Sequence, residues 1–498
     1  MKISFYKQEG DYIKSFIINE VNTITPYGVK EKANIKIYKK ENSEKLTREL
    51  NYIEVIINGF DENKVVYDDI EYTFCKTKNI KNTIDRLKNN KVLDELELFE
   101  IKKFAINTNE IISNYQKLNI TIDYINFKDL EDVVKLLDPD ELNLATFQIY
   151  NTYSKKLSSI RKNKLNIENK IYIETDPDRI EKFKKERLNI VLNEEKEELK
   201  IRKYLSENLF NYINDIDENM KSIGKLDVLI AKANLAIKYN AVKPTINNEN
   251  RICFENLVDP NLKEILNSQN KEYIPISVDI DNKVTIISGA NMGGKSVSMK
   301  TIALNLYLFQ CGFYVFAKEA NLCVLDFIYL INDDMQDINK GLSSFGAEII
   351  KLKEIIKLMK VRDGFVALDE FARGTNPVEG RILLKAICEY FKNHNTISLI
   401  STHLDDINID NATYYQVIGL KNVDFDGLKR QIDLKVGMGL NENLNGIKLL
   451  QEYMDYRLEK VSKETKVPKD ALNVCKLLGL DNEIIDIAAN RITKLEED

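Results

Sequence analysis

Residues 284–296 read Val284-Thr-Ile-Ile-Ser-Gly-Ala-Asn-Met-Gly-Gly-Lys-Ser296. Gly289, four intervening residues, and then Gly294, Lys295 and Ser296 have the spacing of a loop that wraps phosphate groups. Backbone N–H groups freed by the glycines point inward at a helix N-terminus, a lysine reaches the β- and γ-phosphates, and a serine hydroxyl ligates Mg²⁺. The expected nucleotide contacts are therefore Gly289, Ala290, Asn291, Met292, Gly293, Gly294, Lys295, Ser296 and Val297, with Ser296 on the metal. The flanks suit this reading. Val284 to Ile287 is a short apolar run of strand type. Behind the loop, Ile302, Leu306 and Phe309, together with Leu304, Leu308 and Cys311, make a helix apolar on several faces, as a buried one must be. A glycine turn that merely joins a strand to a helix has no need of Lys295 and Ser296. The expected ligands are a nucleoside triphosphate and Mg²⁺.

Hydrolysis needs acids near such a loop. Phe365-Val-Ala-Leu-Asp369-Glu370 is an apolar strand ending in two carboxylates. Asp369 suits a Mg²⁺-bound water, and Glu370 suits the general base that orients and deprotonates the attacking water. In Ala372-Arg-Gly-Thr-Asn-Pro377, Asn376 can cap a helix with Pro377 at its first position. Ile397-Ser-Leu-Ile-Ser-Thr-His403 is a further strand. It ends in one of only two histidines, placed where a γ-phosphate sensor is wanted. His394 sits in a polar loop and reads as solvated.

The elements that must position these groups fall into two halves. Residues 1–140 are expected to be mainly helical, with a turn at Thr25-Pro-Tyr-Gly28 and an amphipathic stretch through Leu46, Leu50, Ile53 and Ile57. Leu137-Asp-Pro-Asp140 is a breaker with a helix start behind it. Lys155 to Lys170 is dense in cations. It reads either as a contact surface for a phosphate backbone or, since no aromatics interleave, as a solvated helix face. Pro177 to Met220 lacks turn signals and predicts long paired helices ending at Gly224. Lys243-Pro-Thr closes the helical half at Asn247–Asn250. Strands then alternate with helices at Thr285–Ser288, Phe327–Ile331, Phe365–Leu368 and Ile397–Ser401, which predicts an α/β sheet. Tyr414–Lys421 and Leu428–Val436 are expected to form a hairpin about Asp426-Gly427, with a polar stretch and helices from 437 onward.

Composition narrows the class. With 498 residues and a net charge of −6, the chain has room for several domains and carries no global basic footprint for nucleic acid. No apolar run approaches the ~18 residues of a membrane span, and Met1-Lys-Ile-Ser opens no leader pattern, so no membrane association and a cytoplasmic location are expected. Six cysteines without a C-x-x-C pair read as reduced and mostly buried.

Gly289-Ala-Asn-Met-Gly-Gly-Lys-Ser296, Asp369-Glu-Phe-Ala-Arg-Gly-Thr375 and Ser401-Thr-His403 resemble the ATPase domain of MutS proteins, a branch of the ABC-type ATPases. Gln336 to Glu348 resembles the signature loop of that branch. The resemblance implies that Ser343 acts in trans, capping ATP held by the partner subunit of a homodimer. Lys271-Glu-Tyr-Ile-Pro275 resembles the adenine-stacking segment, with Tyr273 at the aromatic position. Thr25-Pro-Tyr-Gly28 resembles the start of the family's core domain, Leu226-Asp-Val-Leu229 its return, and Tyr153 to Arg161 a lever start. The implied fold is an α/β P-loop (ABC-type) ATPase domain preceded by a mainly α-helical core and lever domain. The expected divisions are core 1–140, lever 141–225, core return 226–250, ATPase 251–436 and a C-terminal helical dimerisation segment 437–498. Departures are also visible. Ala290 and Val297 replace the family's Pro and Thr, and Phe316 stands where it has Pro. The mismatch-reading domain, a full lever pair with its clamp, and a Smr-type nuclease domain find no place. The resemblance therefore implies a dimeric ATP-driven switch acting on DNA structures without reading mismatches. The alternative is a remodeller of a protein client, such as a reactivase of a cobalamin-dependent aminomutase.

Overall fold

The computed structural model describes residues 9–142, 148–281, 283–289, 294–331, 344–404, 407–420, 425, 427, 455–463, 465, 471–477 and 480–497. Contacts divide the chain into two units. One comprises Ile17–Ile35 and Tyr52–Asn234. The other comprises Met1–Phe16, Lys36–Asn51 and Leu235–Asp498. Among the described residues, no helix is long and apolar enough to cross a membrane.

The first unit is built from helices. It takes α1 (Glu9–Glu20) from Ile17 and α3 (Ser43–Gly59) from Tyr52, the earlier parts of both belonging to the second unit, and contains α2 (Pro26–Ala33), α4 (Lys64–Lys76), α5 (Lys81–Lys88), α6 (Glu95–Lys117) and α7 (Glu131–Leu137). Thr25 to Gly28 proves to be a helix start rather than a turn. Thr25 caps α2 by accepting the Gly28 N–H at 2.8 Å, with Pro26 in the first turn. The segment meets Asp227, about 200 residues later in the chain. The Asp227 carboxylate takes the N–H of Thr25 and its hydroxyl, each at 2.7 Å, and the N–H of Ile24 at 3.0 Å. A Cβ on Gly28 would lie 2.0 Å from Asp227 Oδ2, so only glycine admits the acid. Burial pushes the Asp227 pKa up, and these hydrogen bonds oppose the shift. The segments resembling the start and the return of a core therefore touch.

Behind Leu137, the expected helix start falls partly on 143–147, which lie outside the described residues. Residues 141–142 and 148–150 are irregular, a single 3-10 turn spans Asn151–Tyr153, and α8 (Lys155–Ile173) follows, capped by Ser154. A fully buried ion pair, Lys102 to Asp138 at 2.8 Å, holds the breaker against α6. That pairing is invisible to local propensity. α9 (Pro177–Leu209) runs back along α8 after a short turn capped by Asp176. The cation-rich stretch is largely spoken for here. Arg161 binds Glu194 at 3.1 Å and Glu198 at 2.8 Å, Lys156 binds Glu197 at 3.3 Å, and Lys164 also pairs with Glu194.

Gly224 does not end the helical run; it lies inside α10 (Ile213–Lys238). A Cβ there would sit 2.8 Å from the Tyr27 carbonyl oxygen and 2.9 Å from its carbon. The glycine thus serves close approach of α2, not termination. Gly224→Ala is expected to cost about 1–3 kcal/mol through overpacking, read as a lowered midpoint in thermal denaturation monitored by far-UV circular dichroism. An unchanged midpoint would show that α2 and α10 can separate freely.

The second unit carries two sheets. Strands β1 (Thr245–Asn247), β2 (Ile252–Leu257), β3 (Ile276–Ile280) and β5 (Glu319–Cys323) form a four-stranded sheet in the order β1-β5-β2-β3, which the sequence pattern did not separate from the rest. The larger sheet contains β4 (Val284–Ser288), β6 (Phe327–Ile331), β7 (Gly364–Leu368), β8 (Ile397–Ser401), β9 (Thr413–Gly419) and β10 (Asp455–Val461). Its order is β10-β9-β4-β8-β7-β6. All its neighbours are parallel except β9 and β10. β10 corrects the expectation of helices throughout the C-terminal stretch. The second arm of the expected hairpin, Leu428–Val436, lies outside the described residues. Helices α11 (Pro260–Ser268), α12 (Lys295–Gln310), α13 (Ser344–Met359), α14 (Pro377–Lys392), α15 (Ala471–Leu477) and α16 (Asn482–Glu497) complete the unit.

Beyond its first turn α12 is buried on nearly every face, as its apolar pattern requires. Its Asn305 Oδ1 accepts the Phe316 N–H at 2.8 Å, a bond that a proline at 316 could not make. The Phe316 ring meets Phe16 and Tyr239 edge-on at 5.7 and 5.3 Å. Asn376 caps α14 through the Val378 N–H at 2.9 Å, ahead of Pro377. His394 is half-buried rather than simply solvated, with its ring 4.6 Å from that of Tyr390.

Candidate functional site

Parallel pairing brings the carboxyl ends of β4, β7 and β8 together. Ile287 lies opposite Ser401, and Leu368 opposite Ile400. Gly289, Asp369 and Glu370, and Thr402 and His403 therefore leave the sheet along one edge, where open α/β sheets bind ligands. Backbone bonds fix this edge: Thr402 N–H to the Ile287 carbonyl at 3.0 Å, and Asp369 N–H to the Ile331 carbonyl at 2.8 Å.

The loop glycines have a steric reason. Gly289 has φ +138° and Gly294 φ +87°, and Gly294 caps the N-terminus of α12. A Cβ on Gly289 would lie 3.1 Å from Val417 Cβ of β9, and one on Gly294 would lie 2.8 Å from Tyr456 Cδ1 of β10.

Lys295 opens α12 and is only 4% exposed. Its ammonium donates to the Gly289 carbonyl at 2.8 Å and stands 3.5 Å from Glu370 Oε1. Burial holds its pKa below the usual lysine range, and the Glu370 charge opposes that shift. Asp369 is 5% exposed. Ser401 Oγ donates to Asp369 Oδ1 at 2.6 Å. Burial pushes the Asp369 pKa up, and hydrogen bonds from the Ser401 and Ser296 side chains pull it back. The same Ser401 oxygen accepts the Glu370 N–H at 2.9 Å, so one hydroxyl sets both acids. Arg373 Nη1 donates to the Glu370 carboxylate at 2.9 Å.

His403 lines a cleft with Glu370, Arg373, Thr375 and Thr402. Its Nδ1 is enclosed without a hydrogen-bond partner among the described residues, and an orphaned buried nitrogen of this kind calls for a polar ligand or water. Tyr273 is half-buried. Its hydroxyl accepts the Asp259 N–H at 3.0 Å and bonds the side chain of Thr301 on α12, which fixes the ring along the loop's own helix. Val297 is exposed on the first turn of α12. Ala290, Asn291, Met292, Gly293 and Ser343 lie outside the described residues.

Four side chains of the site carried no assigned role in the sequence pattern. Ser401 stood in a quoted motif. Arg373 followed the paired acids, and Glu348 closed the signature segment. Tyr456 had no local signal beyond being an aromatic in an alternating run, because its place over Gly294 comes from β10 pairing with β9 beside β4.

A nearly buried cation, a buried acid bonded by two serine hydroxyls, and a second acid on a loop can together hold a polyphosphate with its divalent ion. The orphaned His403 nitrogen fits the same occupant. Lys295 would meet the phosphates, Ser296 and Asp369 the ion, and Glu370 a water.

The family model for MutS domain V matches residues 285–496. Endonuclease MutS2 of Halothermothrix orenii is 30% identical over 261 residues, covering 51% of this chain and 32% of the relative. Endonuclease MutS2 of Caldicellulosiruptor saccharolyticus is 29% identical over 346 residues, covering 63% of this chain and 43% of the relative. DNA mismatch repair protein MutS of Streptococcus mutans is 29% identical over 289 residues, covering 56% and 36%. The chain thus spans about a third to two fifths of the length of these curated relatives.

Proposed function

We propose that this chain, which belongs to the MutS family, is an ATP-binding and ATP-hydrolysing dimeric switch that acts on DNA. The observation that carries the reading is the convergence of Lys295, Asp369, Glu370 and Ser401 at one sheet edge. Mg²⁺, when bound, supplies charge neutralisation for the phosphates. Lys295 holds the phosphates, Ser296 and Asp369 hold the ion (Asp369 through a water), and Glu370 accepts the proton of the attacking water. Gly294 gives the backbone close approach, Tyr273 takes the adenine-stacking position, and Tyr456 stands over Gly294. Ser343 of one subunit completes the site built on Lys295 of the other, so ATP closes the dimer and hydrolysis reopens it.

DNA as the target draws on the relatives, whose names are those of an endonuclease and a mismatch repair protein. In this reading phosphate contacts are the source of binding and mismatches are not discriminated; the closing of the α8–α9 hairpin through the short turn Glu174–Asp176 is in keeping with it. Fluorescence anisotropy on matched and singly mismatched duplexes, with and without ATP, tests this. Affinity is expected to fall steeply between roughly 50 and 200 mM salt, equally for both duplexes. A preference of tenfold or so for the mismatch would require a base-reading surface and overturn the reading.

A second reading is ATP-driven remodelling of a protein client, such as a cobalamin-dependent aminomutase. One observation favours it: Lys156, Arg161 and Lys164 are already paired with acids of α9. Absence of any salt-sensitive duplex binding in the same experiment would select it.

A further inference from the structure

Strand β7 runs into a turn whose backbone is unusual for its residues. Glu370 and Ala372, neither of them glycine, have φ of +46° and +66°. L-residues keep such left-handed conformations only where their surroundings over-determine them. Ser401 holds the first through the Glu370 N–H. The second is held from a different element, since Glu348 Oε2 accepts the Ala372 N–H at 2.9 Å. Glu348 lies in the second turn of α13, whose buried face (Leu352, Ile355, Met359) shares a core with β6 and β7.

What hangs on this turn is the Glu370 carboxylate. It sits between Arg373 Nη1 at 2.9 Å and Lys295 Nζ at 3.5 Å. Relaxation of Ala372 toward right-handed backbone would swing the peptide beside Glu370 and shift its carboxylate relative to Lys295. The strand alone does not specify where that acid points.

We infer that Glu348 is a positioning residue for hydrolysis. Its carboxylate pins the Ala372 N–H, keeps the 370–372 turn left-handed, and so makes the seat of α13 set the aim of Glu370. This rests on the reading of Glu370 as the general base. Glu348 need not touch nucleotide or water, and ATP affinity should be indifferent to it.

The test compares Glu348→Ala, Glu348→Asp, Ala372→Gly and the double variant Glu348→Ala/Ala372→Gly. ATP affinity, kcat at saturating Mg·ATP and the thermal midpoint are measured for each. A misaimed group costs up to about a hundredfold in rate. Glu348→Ala is expected to lose between about tenfold and a hundredfold in kcat, with ATP affinity unchanged. Glu348→Asp, whose carboxylate is withdrawn by one methylene, should fall between it and the native chain. It carries the test where the alanine variant is unstable. Glycine adopts the left-handed turn without an anchor, so the double variant should regain a substantial part of the lost kcat.

Normal kcat in both Glu348 variants overturns the inference. So does a double variant no faster than Glu348→Ala, or a loss of ATP affinity and thermal midpoint in step with kcat, which is the mark of a purely structural role. Glu370→Gln separates the two levels. If it is inactive while both Glu348 variants are normal, only this inference falls. If it hydrolyses ATP normally, the reading beneath falls as well.

Discussion

Glu370→Gln is expected to bind ATP at least as tightly as the native chain while turnover falls by roughly 10²–10⁴-fold, the usual contribution of a positioned general base. The geometry separates the two effects. In the proposed site the Glu370 carboxylate is no part of the phosphate cradle, a role assigned to the loop 289–296 and Lys295. It is a negative charge 3.5 Å from the Lys295 ammonium, competing with the incoming phosphates for that cation. A neutral amide removes the competition and the base together. Phosphate release under saturating ATP, paired with calorimetric titration of ATP, reads both quantities. Normal hydrolysis by the variant would show that another group activates the water, with His403 the first alternative.

Lys295→Ala is expected to act on the other side of that division, lowering ATP affinity itself. A charge-assisted hydrogen bond contributes about 1.5–3 kcal/mol, which is on the order of 10- to 100-fold in Kd. Lys295 is almost fully buried, so its ammonium would meet the phosphates in a place that bulk water and mobile ions reach poorly. Glu370 keeps Arg373 as a partner at 2.9 Å in the variant, which limits the damage to the free protein. Titration calorimetry with ATP, alongside a thermal melt, distinguishes a lost ligand contact from a lost fold. Native affinity in Lys295→Ala would place the phosphates elsewhere and remove the basis for the whole site.

Both experiments concern residues whose proposed roles are legible in the sequence alone, and the reason is local. A phosphate loop is a continuous segment, so its glycines, lysine and serine carry their meaning in their spacing. The same holds for an apolar strand that ends in Asp369-Glu370, and for Asn376-Pro377 as a helix start. Strands β6 and β8 have their observed limits where the pattern put them, because short β-branched runs between turn signals are unambiguous when buried on both faces.

What only the tertiary structure decided has a common physical form: it depends on partners distant in the chain. Gly28 has the setting of a turn glycine, yet it is small to admit Asp227. Gly224 has the setting of a helix terminator, yet it is small to admit the backbone of Tyr27. Glycine marks close approach and chain reversal alike, and sequence spacing does not say which. The buried Lys102–Asp138 pair joins residues on different elements and has no local signal. The cations of α8 leave a basic contact surface open as one reading until α9 brings acids to them. Tyr456 reaches the phosphate loop only because β10 joins the sheet edge beyond β9, and Glu348 meets Ala372 only because α13 shares a core with β6 and β7. Local chemistry is written in consecutive residues, whereas the aim of Glu370, the most consequential side chain of the proposed site, is set by hydrogen bonds from two other elements, β8 and α13.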